Sequence, residues 1–176
     1  MTNQKIPFKR LLAAILLLIP FFISGCIKEE MGSTTINSTF NLKVQNAEGQ
    51  DLLNPATEGY LSIDYINLFY VKDGKEVFQY VQDENGIRKG MSIHHNETSG
   101  EYYLSVQLSL DDRYGEISTN IIKMHGYPAD TLKAEIRKRT SPSGGSTSWS
   151  YSKVWINGEE FDLSTGEKAV LIKGVN

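Results

Sequence analysis

The fold class is decided most clearly by the stretch KVWINGEEFDL at residues 153–163. Its first half is rich in β-branched and aromatic residues, and the pair Asn157-Gly158 separates it from Glu159–Leu163. An Asn-Gly pair suits the positive φ angles of a type I′ turn, which joins neighbouring antiparallel strands. The stretch therefore predicts a β-hairpin near the end of the chain.

Similar signals recur toward the N-terminus. The pair Asp73-Gly74 separates the apolar run Tyr60–Val71 from Glu76–Val81, which predicts a second hairpin. Before it, the period-two alternation of Phe40, Leu42 and Val44 is typical of a half-buried strand. The remaining strand candidates are Ile87–His94, Tyr102–Leu110, Glu116–Met124, Thr131–Lys138 and Lys168–Lys173.

This pattern predicts an all-β fold. After residue 26 no apolar repeat of 3.6 residues persists for three turns, and about eight to ten short strands with frequent turns are typical of a sandwich or a barrel. We expect residues 39–176 to form one domain, a single immunoglobulin-like antiparallel β-sandwich.

The N-terminus has the layout of an export signal. Lys5, Lys9 and Arg10 precede the apolar run Leu11–Ile23, and small residues precede Cys26. The 17 uncharged residues Leu11–Ile27 would form about 25 Å of helix, less than the ~30 Å of a hydrocarbon core. We therefore interpret residues 1–25 as a signal helix that is removed, with an uncleaved signal anchor as the alternative.

The residues Ile23-Ser24-Gly25-Cys26 resemble the lipobox of bacterial lipoproteins. The resemblance implies cleavage before Cys26, a diacylglycerol on its sulfur and an acyl chain, such as palmitate, on the new amine. Because more than one acyl chain makes a stable anchor, the mature chain would need no transmembrane helix. Residues 26–38 would then be a lipidated flexible tether, since Met31–Ser38 is small and polar.

The charged residues Lys28-Glu29-Glu30 resemble the export signal of Bacteroidetes-type lipoproteins displayed on the outer surface. That resemblance implies an outer-membrane protein facing the cell exterior, whereas the alternative is that the charges only solvate a tether. Three later segments also resemble elements of small surface lipoproteins of this type, whose function is uncharacterised. These segments are Asn46–Pro55, Tyr127–Lys133 and Val154–Gly158. These segments carry turn and strand chemistry and transfer no catalytic residue.

Charge and cysteine content exclude several classes of function. Residues 1–25 contain three of the 18 basic residues and none of the 21 acidic ones, so the rest of the chain has a formal charge of −6. A chain this acidic lacks the basic surface that binds phosphate backbones, and nucleic acid is not an expected partner. Since Cys26 is the only cysteine, one chain can form neither a disulfide nor a cysteine zinc site.

The sequence predicts no catalytic residue, metal or cofactor. There is no Gly-x-Ser-x-Gly motif, and Gly144-Gly145 lies in a serine-rich loop without a following helix signal. His94 and His95 are neighbours in a strand and would point to opposite faces, which suits no shared metal. We give the three histidines His94, His95 and His125, with Glu97 nearby in sequence, an exposed or satisfied structural role rather than metal ligation. The carboxylate pairs Glu29-Glu30, Asp111-Asp112 and Glu159-Glu160 we interpret as solvated charge.

Two surface features are candidate sites. Trp149, Tyr151 and Trp155 share one face if their segment is a regular strand. If that face is exposed, the rings form a platform on which a sugar or a protein partner could bind. If that face points inward, the rings are part of the core. Thr131, in Asp130-Thr131-Leu132, resembles a short acceptor for protein O-glycosylation in this type of bacterium.

Together these observations favour a non-enzymatic, lipid-anchored surface module that binds a glycan or another envelope protein. The alternative is a structural or adhesin-type accessory subunit, and an unrecognised hydrolase ranks third.

Surface display is tested by adding protease to intact cells and following the domain with an antibody. We expect degradation without rupture of the outer membrane, because the lipid on Cys26 would hold the domain on the exterior. Protection of the domain until the membrane is broken would contradict this prediction.

Overall fold

The computed structural model describes residues 33–83, 86–142 and 145–174, which form β-strands and short 3-10 helices. The 3-10 helices are Ile63–Tyr65, Asp112–Tyr114 and Leu163–Thr165. The strands are β1 Ser33–Ile36, β2 Thr39–Asn46, β3 Ile66–Lys72, β4 Lys75–Phe78, β5 Val81–Asp83, β6 Gly86–Arg88, β7 Met91–His95, β8 Tyr102–Gln107, β9 Ile117–Met124, β10 Asp130–Thr140, β11 Ser146–Ile156, β12 Glu159–Phe161 and β13 Ala169–Lys173.

Most of these strands form two sheets of unequal width. The wide sheet has seven strands, in the order β1-β11-β10-β9-β3-β4 with β12 also beside β11. The narrow sheet has four strands, in the order β13-β2-β8-β7, and β5 and β6 form a two-stranded sheet of their own among the described residues. The prediction of an all-β fold is confirmed.

The prediction of purely antiparallel sheets is wrong at two places. β1 runs parallel to β11, and β13 runs parallel to β2. Parallel neighbours need long connections. Long chain segments separate β1 from β11 and β2 from β13, because β1 and β13 are the first and last described strands. A scan for short turns identifies only hairpin neighbours, so it does not detect such pairings.

One apolar core lies between the two sheets. Alternate residues of β2 and β8 point inward from the narrow sheet, and alternate residues of β3, β9 and β10 point inward from the wide sheet. The fully buried members include Leu42, Val44, Ile66, Leu68, Leu104, Val106, Ile122 and Leu132. The two sheets therefore pack face to face, as the period-two patterns indicate.

Both predicted two-residue turns are present. Asp73 and Gly74 have φ values of 50° and 72° between β3 and β4, and Asn157 and Gly158 have values of 51° and 96° between β11 and β12. Positive φ at both positions is the type I′ arrangement, which Asn, Asp and Gly adopt at low cost. Each turn fixes the register of the two strands that it joins, β3 with β4 and β11 with β12.

Two predicted boundaries are wrong. The run Tyr60–Val71 becomes strand only at Ile66, because the Ser62 hydroxyl accepts a hydrogen bond from Asp64 N and begins a 3-10 helix. The flexible tether does not extend to residue 38, since β1 pairs with Ser146–Trp149. The exposed side chains of β1 give no apolar alternation, so backbone pairing alone makes it a strand.

A buried ion pair joins the two sheets. Lys173, at the end of β13, has a side chain that is 3% exposed, and its Nζ contacts Asp130 Oδ2 at the start of β10. The same Nζ donates to Pro128 O at 3.2 Å, and Asn157 Nδ2 donates to Asp130 Oδ1 at 3.0 Å. Each charged group therefore has two partners, which offset the cost of its burial.

Lys173→Met should destabilise the domain, because it leaves the Asp130 carboxylate buried without its counter-charge. Removal of one partner of a buried pair costs about 3–5 kcal/mol. The free energy of unfolding, from urea titration, measures the effect. Glu101→Gln is the control, since it breaks the more exposed Lys43–Glu101 pair and should cost less than about 1 kcal/mol. Equal losses in the two variants would contradict the assignment.

Candidate functional site

A groove of about 870 Å³ lies where the narrow sheet ends. Met91–His94 of β7 lines one side, and Tyr70 of β3 with Gln79 and Tyr80, just after β4, lines another. The turn before β3 contributes further lining residues, including Tyr60 and Asp64. The groove therefore runs along the edge strand β7, and residues of β3 and of the segment just after β4 form its opposite wall.

The backbone of β7 is half unpaired along this groove. β8 lies on one side of β7, and no other strand pairs with it among the described residues. Gln107 N donates to Gly90 O, and Asn96 N donates to Glu101 O. Because hydrogen-bonded pairs alternate in an antiparallel ladder, Ser92 and His94 also bond to β8. The N–H and C=O groups of Met91, Ile93 and His95 consequently point away from β8.

The side chains of β7 divide by chemistry. Met91 and Ile93 pack against the core, whereas Ser92 and His94 are exposed. Gly90 precedes the strand with a φ of 68°, and a Cβ there would lie 3.2 Å from Leu68 Cδ2. Glycine is thus the residue that allows β7 to begin directly against β3.

Three tyrosines give the groove aromatic surface. Tyr60 and Tyr80 are 38% and 57% exposed. Tyr70 is more enclosed, and its hydroxyl donates to Gln107 O of β8 at 2.7 Å. Burial raises the pKa of Tyr70 to about 12, because a phenolate loses its hydration there. Tyr70 therefore remains a neutral donor that connects the two sheets.

Lys89 fixes one end of the groove. Its Nζ donates to Asp64 O at 2.9 Å, to Ile63 O and Ile66 O at 3.4 Å, and to Asn67 Oδ1 at 3.3 Å. Among the described residues no carboxylate lies within ion-pair distance of this ammonium group. The cation holds the turn before β3 against the start of β7.

The pair Ser92–His94 lies at the rim, with Ser92 Oγ and His94 Nε2 2.7 Å apart. A serine nucleophile needs a base that is itself oriented by a third group. Within the described part of the chain no carboxylate bonds to the His94 ring, which instead stacks on Tyr103 with centroids 5.2 Å apart. The pair presents hydrogen-bonding groups at the rim of the groove, and its geometry assigns no nucleophile.

The aromatic face predicted from Trp149, Tyr151 and Trp155 does not form, because β11 contains a β-bulge. Glu135 and Ile136 of β10 are consecutive, but they pair with Lys153 and Tyr151, so Ser152 is the extra residue. The bulge puts Tyr151 on the same face as buried Val154 and puts Trp155 on the opposite face.

Each of the three aromatic side chains is half-buried in a different place. Tyr151 packs against the core, and its hydroxyl donates to Thr39 O at 2.7 Å. Lys138 Nζ lies 4.4 Å from the ring centroid of Trp149. Trp155 is paired with Lys133 on one side and Glu160 on the other. They form no common platform for a ligand.

The other titratable candidates are dispersed. His95 stacks on Tyr102 with ring centroids 4.4 Å apart, and the ring centroids of His125 and Tyr65 are 5.9 Å apart. No group of three or more potential metal ligands occurs in the part of the chain that the structure describes. Glu97 is exposed in the turn before β8, and Glu159 and Glu160 are exposed neighbours on β12.

Of the remaining predicted residues, some lie in the described part of the chain and the others lie outside it. Asp111 bonds to Arg113, and this hydrogen bond lowers the pKa of Asp111, while Asp112 is exposed. Thr131 is half-buried, with its backbone N–H donating to Asn157 Oδ1 at 2.8 Å, and its O-glycosylation stays a prediction. Cys26, Lys28-Glu29-Glu30 and Gly144 lie outside the described residues.

Comparison with protein-family models, curated proteins and solved structures gives no match to this chain. Within residues 33–83, 86–142 and 145–174 there is no helix with the length and apolar character needed to cross a membrane.

Sequence reasoning missed the groove. The alternation in Met91–His95 indicates a strand, but whether that strand lies at an edge depends on the order of strands in the sheet. The Ser-x-His spacing of Ser92 and His94 does signal two polar side chains on one strand face, and it was the one local pattern that pointed here.

Tyr70→Phe tests the hydrogen bond from Tyr70 to Gln107 O beside the groove. Below pH 10 it should reduce the free energy of unfolding by about 1 kcal/mol through loss of one hydrogen bond. The native protein should also lose stability as the pH rises from 10 toward 12, because the folded state keeps the Tyr70 proton that the unfolded chain releases. The variant should lose less over that interval, as urea titrations at several pH values would measure. Identical pH profiles would contradict the burial of Tyr70.

Proposed function

We propose that this protein is a lipid-anchored module of the outer membrane, facing the cell exterior, that binds a segment of another envelope protein in the groove beside β7. The proposal includes no catalytic activity and no cofactor. The observation that carries it is the row of backbone groups at Met91 and Ile93 that point away from β8 and have no strand partner among the described residues, along a groove with both apolar and polar walls; His95 continues this row just beyond the groove lining.

Sequence motifs support the proposed location. The lipobox-like residues Ile23–Cys26 and the following Lys28-Glu29-Glu30 support an acylated Cys26 and display on the surface. Since β1 begins at Ser33, the proposed tether consists of residues 26–32. An immunoglobulin-like arrangement of the sandwich is also part of this proposal, and the two sheets around one core support it.

A glycan is the second candidate ligand for the same groove. The exposed rings of Tyr60 and Tyr80 are suited to stacking on sugars, and Ser92, His94 and Gln79 supply hydrogen-bonding groups. We favour a protein segment because the aligned N–H and C=O groups of an edge strand match a polypeptide backbone.

A structural or adhesin-type accessory subunit would use the same open edge to join an assembly. In that case the partner of β7 would be a neighbouring subunit of a polymer. The purified protein would then polymerise or assemble with that subunit, whereas a binding module stays monomeric until its ligand is added.

The proposal is tested by a photo-cross-linking amino acid placed at Ser92 on intact cells. We expect adducts with one envelope protein, identified by mass spectrometry, because Ser92 lines the groove. The matched control is the same substitution at Glu48, which is exposed in the turn after β2. Equal labelling at both positions, or no protein adduct at Ser92, would contradict the proposal, and retention on a glycan array would then favour the second candidate.

A further inference from the structure

We propose that the groove takes up an extended peptide that adds a fifth strand to the narrow sheet along the free edge of β7. The inference rests on the proposed function and specifies its mode of binding. The peptide would alternate apolar and polar residues and would carry an acidic residue at the end near Lys89.

The outward backbone groups of β7 match those of an extended peptide. Met91, Ile93 and His95 each direct one N–H and one C=O away from β8, at intervals of two residues. A second extended chain presents donors and acceptors with the same repeat. A sugar carries hydroxyl groups without that regular repeat, so it would leave part of the edge unpaired.

The wide sheet leaves room for the added strand. Val77 of β4 pairs with Tyr70 and thus points to the inner side of the wide sheet, yet it is 40% exposed. Inner residues become exposed where the opposite sheet does not cover them. β7 has five residues, and a strand of that length spans about 17 Å.

The walls set the side-chain pattern of the peptide. Ile63, Met91 and Ile93 line the groove and also pack against the core. Ser92, His94 and Ser105 give the opposite face of the sheet its polar groups. Because alternate residues of a strand point to opposite faces, apolar residues would face the core side and polar residues the Ser92 side.

Charge selects the end of the peptide. Lys89 lines the groove beside the start of β7, and its ammonium group is held by three carbonyl oxygens and an amide oxygen without a carboxylate at ion-pair distance among the described residues. An acidic side chain or the C-terminal carboxylate of the peptide would balance that charge.

A single extended segment fits better than a second folded copy. Tyr70 of β3 and Gln79, just after β4, line the same groove as β7, so an added strand must lie next to them. The edge of another sandwich would bring its own second sheet into that space. Dimerisation through β7 is therefore an outcome that would overturn the proposal.

The test selects ligands from a displayed library of random decapeptides on the full chain in detergent. Binding of the selected peptides is then compared for His95→Pro and His95→Ala. Both variants lose the stacking of His95 on Tyr102, but only proline removes the outward N–H. Proline with its missing N–H on the free side of an edge strand leaves the bonds to β8 intact.

The selected peptides should alternate apolar and polar residues and favour an acidic residue at one end. We expect His95→Pro to weaken binding by about tenfold and His95→Ala by less than about twofold, since one backbone hydrogen bond separates them. If His95→Pro fails to fold, as judged by its melting temperature, the peptide is instead methylated at alternate backbone nitrogens. One of the two methylation patterns should then abolish binding to the native chain.

Several results would overturn strand addition. These are equal binding by the two variants, equal tolerance of both methylation patterns, selection of no peptide, and dimerisation through β7. If cross-linking at Ser92 still identifies an envelope protein, the proposed function stands without this mode of binding. If that cross-link is also absent, both proposals fail.

Discussion

The two sheets that share the apolar core differ in width, and the position of the groove depends on this difference. The narrow sheet ends at β7, while the wide sheet continues to β4. Burial of apolar side chains holds the sheets together, at roughly 25 cal/mol for each Å² removed from water. That term has no direction, so it does not itself determine which edge remains open. The edge is set by the order of the strands.

Directional contacts between the sheets fix how they lie on each other. Lys173 and Asp130 join β13 to β10, and the Tyr151 hydroxyl joins β11 to the start of β2. Asn120 of β9 accepts from Ser109 N just after β8. Tyr70 completes the set by bonding to Gln107 O of β8, next to the groove. Since buried polar groups are costly when unpaired, these bonds favour one alignment of the sheets, and so the groove keeps a defined wall opposite β7.

Much of the fold could be predicted from the sequence because its signals are local. Alternation identified β2, β8 and β10, and the Asp-Gly and Asn-Gly pairs identified two hairpins with the observed turn geometry. The parallel pairings of β1 and β13 were missed, since they join segments far apart in the chain. The bulge at Ser152 was missed as well. One extra residue reverses the face of every later side chain, and no feature of the serine-rich segment marks it.

The free edge of β7 is the claim on which the functional account depends. Amide hydrogen exchange of the protein without ligand, resolved by residue, tests it most directly. The account predicts slow exchange at Ser92 and His94, whose N–H groups bond to β8, and fast exchange at Met91, Ile93 and His95. Uniform protection across Met91–His95 would contradict it, because another part of the chain would then cover the edge.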